Sequence, residues 1–102
     1  MNVNVNENWA EAPYDEELLV VVRDDEGGRL TPRAGWVWSD EGGASCVCLQ
    51  LEEGTLDVRV LDEDGNPTTD EALAGLVLLG WVRSADLTSF ADLASFVAFL
   101  LP

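Results

Sequence analysis

Five consecutive apolar residues, Leu18-Leu19-Val20-Val21-Val22, lie between two acidic clusters, Asp15-Glu16-Glu17 and Asp24-Asp25-Glu26. Three of the five are β-branched, a side-chain type that fits a pleated surface better than a helix. With no polar residue alternating among them, Leu18–Arg23 is predicted to be a strand buried on both faces. The acids and the Gly27-Gly28 pair after it predict a turn.

The next segments alternate with period two, the signature of half-buried strands. Gly35–Ser39 places Trp36 and Trp38 on one face. Ser45–Leu51 places Val47, Leu49 and Leu51 on one side and Cys46, Cys48 and Gln50 on the other. Thr55–Leu61 turns Leu56, Val58 and Val60 inward and Asp57 and Arg59 outward. Between these strands stand turn residues: Asp40 to Ala44 with its Gly42-Gly43 pair, Glu52-Glu53-Gly54, and Asp62 to Pro67. At the start, Asn2, Asn4, Asn6 and Asn8 alternate with Val3 and Val5, with Trp9 on the valine side. That pattern fits either an edge strand or a frayed terminus.

After Pro67 the period changes. Thr68 with Glu71 matches a capping box, and Glu71–Leu79 reads as a short helix closed by Gly80. A strand over Leu76–Val82 competes with it, and Gly75 weakens the helix. Ser89 with Asp92 offers a second cap, followed by Phe90, Leu93, Val97 and Leu100 at helical spacing, joined by Phe96 and Phe99. That helix is apolar over a wide arc, so it packs into the sheet or also meets a partner. The predicted fold class is α+β: an antiparallel β-meander of about four to five strands followed by one or two C-terminal helices. Residues 1–102 are expected to form a single acidic domain, with 1–14 an edge strand or flexible.

Charge narrows the function. Twenty Asp and Glu face five Arg, with no Lys or His, for a formal net charge of −15. The acids are segregated: 18 precede Ala72, and only Asp86 and Asp92 follow. Nucleic-acid affinity rests on neutralising phosphates with Lys and Arg, so this surface would repel nucleic acid, and anionic membranes equally. It favours basic proteins and cations. The N-terminus lacks the basic and apolar regions of a signal peptide, and Ala72–Val82, the longest apolar stretch, is too short to span a bilayer. Cys46 and Cys48 make no disulfide framework, so the expected setting is cytoplasmic.

Enzyme chemistry is poorly supplied. There is no His or Lys to act as a base, no Ser stands in a nucleophile motif, and the acids lie in wet turns rather than pockets. The chain is therefore expected not to be an enzyme, and no cofactor is implied. Asp62-x-Asp64-Gly65 is similar to the start of a calcium loop, but its twelfth position is Leu73 rather than a bidentate Glu, so an ordinary Asp-Gly turn is the better reading. Cys46-x-Cys48 lacks the further ligands of a zinc site, which leaves two small core residues. Trp36-x-Trp38 fits the core better than an exposed anchor.

In a meander, successive turns fall at alternate ends of the sheet. Asp15, Glu16, Glu17, Asp40, Glu41, Asp62, Glu63 and Asp64 should then gather at one end, with Asp24-Asp25-Glu26 and Glu52-Glu53 at the other. Side chains two apart on a strand are spaced by about 6.6 Å, so such a rim can imitate a row of phosphates. In size and charge alone, the chain is similar to the small acidic inhibitors that bacteriophages make against host nucleases and CRISPR complexes. The expectation is an inhibitor that occupies a basic nucleic-acid-binding surface by phosphate mimicry, with those eight residues as contacts to Arg and Lys. The alternative is a protein-interaction or assembly module using the apolar C-terminal helix, for which a homodimer is one form, whose acids serve solubility or a salt-adapted source.

Overall fold

The computed structural model describes residues 5–24, 30–68, 76–88 and 90–100. Among these residues five strands, β1 (Leu18–Asp24), β2 (Leu30–Ser39), β3 (Ser45–Leu51), β4 (Gly54–Leu61) and β5 (Leu76–Arg83), precede one α-helix, α1 (Phe90–Leu100). The strands form one antiparallel sheet in the order β4-β3-β2-β1-β5. The fold is thus α+β. The first four strands are a meander, and β5 joins its far side beside β1.

β1 is sandwiched as its sequence requires. Leu18, Val20 and Val22 belong to one core with Val37, Val47, Leu49, Val58, Val60 and Trp81. Val21 belongs to a second core on the opposite face, with Val82, Leu87 and Phe96, against which Leu19, Leu30 and Leu100 pack. Phe96 and Leu100, one helical turn apart, fix α1 to this second face.

Three expectations are corrected. First, of the two readings of Leu76–Leu79 the strand holds and the helix does not: it continues into Arg83 and pairs with Asp24 through Leu18 of β1. The free edge of a doubly buried strand needs a partner, and that pairing outweighs the local cap signal. The cap residue Glu71, with the rest of 69–75, lies outside the described residues, as do the turn at Asp25-Glu26-Gly27-Gly28 and the cap Ser89. Second, β2 begins at Leu30 rather than Gly35 because residues 30–34 pair with β1 alone, β3 joining only from Gly35 onward. Pro32 is tolerated there because that stretch of β2 is locally an edge.

Third, the N-terminal alternation does not continue to Trp9. Asn6 makes an isolated antiparallel bridge to Trp81, its N–H donating to Trp81 O at 3.0 Å and its carbonyl accepting from Trp81 N at 2.9 Å. The chain then leaves extended geometry for a 3-10 turn, Trp9–Glu11, capped by the Asn8 side chain, which accepts from Ala10 N at 3.0 Å. Val5 consequently packs with the helix-side core and Trp9 with the other. Residues 1–4, including Asn2, Val3 and Asn4, lie outside the described residues. The close approach of this segment depends on Gly80: a Cβ there would sit 2.6 Å from both Asn6 O and Val5 Cγ1. A register shift opposite Val21 and Val22 adds one residue, Leu79, to β5 just before that glycine.

Candidate binding surfaces

One end of the sheet is closed by two loops of the same design. Asp40-Glu41-Gly42-Gly43-Ala44 joins β2 to β3, and Asp62-Glu63-Asp64-Gly65-Asn66 leaves β4. In the first, Asp40 Oδ1 accepts from Gly42 N at 2.9 Å and Ala44 N at 3.0 Å. In the second, Asp62 Oδ1 accepts from Asp64 N at 3.0 Å and Asn66 N at 2.8 Å. Each loop is cinched by a bond from the N–H of its first residue to the carbonyl of its fifth, 2.9 Å in both. Each has glycine at its fourth position with positive φ, 93° at Gly43 and 82° at Gly65, where a side chain would be strained. The leading aspartate is therefore an internal strut, an Asx-type turn, while Glu41, Glu63 and Asp64 are exposed. The recurring Asp-Glu-x-Gly pattern is visible in the sequence, which by itself marks only two ordinary turns.

The loops are adjacent. Ser39 pairs with Ser45 and Ser45 with Leu61, which aligns the end of β2, the start of β3 and the end of β4. A Cβ placed on Gly42 would lie 3.9 Å from Glu63 Oε1. Asp15, Glu16 and Glu17 enter the same end lower down, since Tyr14 is bridged to Val37 and hydrogen-bonds Ser45 Oγ through its hydroxyl at 3.1 Å. Val37 stands three residues before Asp40, about 10 Å along the strand. Asp15 turns the chain into β1 with φ 57°, a left-handed conformation that Asp accepts more readily than most residues. Asp86, which sequence reasoning left out of the rim, is exposed at this end as well, because β5 finishes where β1 starts.

The eight expected contact residues divide by what they already hold. Asp40 and Asp62 build their loops, and Asp40 also faces Arg59 Nη2 at 3.7 Å. Glu16 is engaged by the Arg83 fork, accepting from Nε at 2.5 Å and Nη2 at 2.7 Å. That bonding lowers the Glu16 carboxyl below its ordinary value and raises the Arg83 guanidinium. Asp15, Glu17, Glu41, Glu63 and Asp64 remain exposed, with no ion pair among the described residues. At the opposite end Glu52 and Glu53 are exposed, while Asp25 and Glu26 lie outside the described residues.

A second surface corrects the placement of the tryptophans. Trp36 and Trp38 are 37% and 40% exposed, whereas Trp9 and Trp81 are 9% and 6% exposed. The register explains it. Trp36 pairs with Cys48 and Cys48 with Asp57, while Trp38 pairs with Cys46 and Cys46 with Arg59. All six therefore stand on the face opposite Val37, Val47 and Val58. Trp38 Nε1 donates to Asp57 Oδ1 at 3.1 Å, two strands away, so the indole lies across β3. The small cysteines leave room for it. Cys46 is buried, and the half-buried Cys48 thiol is pushed up, first by desolvation and then by the Asp57 charge.

Elsewhere, an open cavity of about 400 Å³ lies between Trp9, Val60, Pro67 and Leu78, with Glu7 at its edge. No helix among the described residues is long and apolar enough to cross a membrane. No protein-family profile, curated protein or solved structure matches the chain.

Proposed function

We propose that this chain is a non-enzymatic inhibitor that docks on a basic, nucleic-acid-binding surface of another protein or complex, presenting carboxylates where phosphates would lie. It would act in the manner of the small acidic proteins that bacteriophages direct against host nucleases and CRISPR complexes. The observation that carries this reading is the paired loop. Two copies of one rigid turn, side by side, hold Glu41, Glu63 and Asp64 out to solvent, with Asp15 and Glu17 below. The nearest cations, Arg59 and Arg83, face Asp40 and Glu16. Rigid presentation lowers the ordering cost of binding, and the net charge of −15 speeds encounter with a cationic partner at low salt.

The test is binding to a panel of basic nucleic-acid-binding proteins across a salt series, with circular dichroism at each salt. The expected result is selective, salt-sensitive binding to one target, displaced by that target's nucleic acid, with the fold intact at low salt. The variant Glu41→Gln/Glu63→Gln/Asp64→Asn is expected to associate about tenfold more slowly, with a flatter salt dependence. Unchanged binding by that variant, or unfolding at low salt with no selective partner, overturns the proposal.

One observation favours the alternative, an apolar contact through α1. Leu93 and Val97, one turn apart, are 45% and 51% exposed. Against it, Phe96 is buried on the sheet, while the Phe90 and Phe99 side chains lie outside the described residues. Sedimentation of Leu93→Gln/Val97→Gln beside the parent protein decides this: self-association lost in the variant supports the apolar interface, and a monomer in both removes the homodimer.

A further inference from the structure

We infer that the sheet face bearing Trp36 and Trp38 is a second contact surface and that its occupant is an arginine side chain of a basic protein partner. The inference rests on the binding reading above and names the chemistry of a contact distinct from the acidic rim.

Three observations converge on that chemistry. The two indoles stand on one face of β2 and are each more than a third exposed, while the other two tryptophans of the chain are buried. Trp38 is tethered by its bond to Asp57, which fixes the indole Nε1 edge and places an exposed carboxylate beside the ring. Arg59, on the same face, faces Asp40, and Asp57 forms no ion pair among the described residues.

A pre-oriented aromatic plane with a carboxylate at its edge suits a planar cation. Guanidinium stacks on an indole face and donates in a fork to a carboxylate, whereas ammonium is a strongly hydrated point charge that does neither as well. A partner bearing acids is repelled by the charge of −15, and a second copy of this chain would bring the same charge again. The occupant is accordingly cationic and, between the two cationic side chains, arginine.

The experiment uses the full chain with two probes, a nine-arginine and a nine-lysine peptide. Binding is followed through the four indole Nε1–H resonances, which Trp→Phe variants assign. The arginine peptide is expected to bind about five- to tenfold more tightly than the lysine peptide, the range a partly desolvated cation–π contact supplies. It should move the Trp36 and Trp38 resonances and leave those of Trp9 and Trp81 in place. Trp36→Ala and Asp57→Asn should each weaken the arginine peptide more than the lysine peptide, and so reduce the arginine preference. Equal affinities with unmoved Trp36 and Trp38 signals overturn the inference, as does failure of both peptides to bind. The rim is judged separately, by whether Glu41→Gln/Glu63→Gln/Asp64→Asn weakens the lysine peptide. Because the indole resonances are read in the parent protein, an unfolded Trp36 variant leaves the result decisive.

Discussion

Trp38 and Asp57 meet across an intervening strand: the indole N–H of one, on β2, donates to the carboxylate of the other, on β4, at 3.1 Å. Only a small residue on β3 permits that reach. Cys46 and Cys48, on the same face of β3, are small enough to leave that path open, and Cys46, the cross-strand neighbour of Trp38, is buried.

Removing the indole of this cross-strand neighbour should expose the Cys46 thiol. Trp38→Ala is expected to raise the rate at which a thiol reagent modifies Cys46 by at least about tenfold, because access governs the reactivity of a buried cysteine. Trp38→Phe, which keeps the ring and loses only the donor, should give a much smaller increase. Equal rates in parent and Trp38→Ala would mean that the indole does not shield it.

Cys48 supplies a pH dependence. Its folded-state value is raised above the ordinary 9.0, so the folded state disfavours the thiolate relative to the unfolded chain. Its contribution to stability is then fully present below 9.0 and is lost as pH rises through the raised value. Thermal melts between pH 8 and pH 11 should show a decline that is smaller in Cys48→Ser. Identical declines would place its cause elsewhere.

Glu16 works in the opposite direction. Arg83 lowers its folded value, so the pair stabilises the fold above the ordinary carboxylate value and loses that contribution as pH falls through the lowered one. Both side chains reach solvent, so the effect is modest and screened by salt. Glu16→Gln should melt below the parent at neutral pH, and the two curves should converge in acid. A gap that persists at pH 2 would assign it to packing rather than charge.

The strands that carry their own pattern were legible in the sequence. β3 was read from Ser45 to Leu51 and β4 to within one residue, because alternation and turn residues agree there. β1 and α1 were likewise legible from the apolar run and the helical stripe. Leu76–Arg83 is legible only as one of two readings, a helix to Leu79 or a strand over Leu76–Val82, because an apolar stretch beside β1 becomes a strand by pairing, and pairing leaves no local mark when both readings are apolar. The tryptophans failed for a related reason. Trp36 and Trp38 share a face, but which face is set by register with Cys48 and Cys46. Asp57 and Arg59 were read as outward, yet nothing in single-strand periodicity ties Trp38 to their side. Of the rim, the gathering of the loops follows from the meander. That Asp40 and Asp62 are struts and Glu16 is paired depends on contacts a sequence does not display.

Gly80 tests how the N-terminal segment is held. Adding a methyl group there drives it to 2.6 Å from Asn6 O and Val5 Cγ1, and backbone is the costlier of the two to move. Gly80→Ala should therefore destabilise by about 1–3 kcal/mol, the usual cost of overpacking. The loss should be local first: Asn6 and Trp81 exchange two backbone bonds, and Asn8 O accepts from Trp81 Nε1 at 3.1 Å. Amide exchange at Asn6 and Trp81 should accelerate well before that at Val47 or Leu49, which lie on β3, paired on both sides and separated from β5 by β2 and β1. Unchanged exchange at Asn6, with a parent-like melting temperature, would show that the segment does not pass over Gly80 in solution.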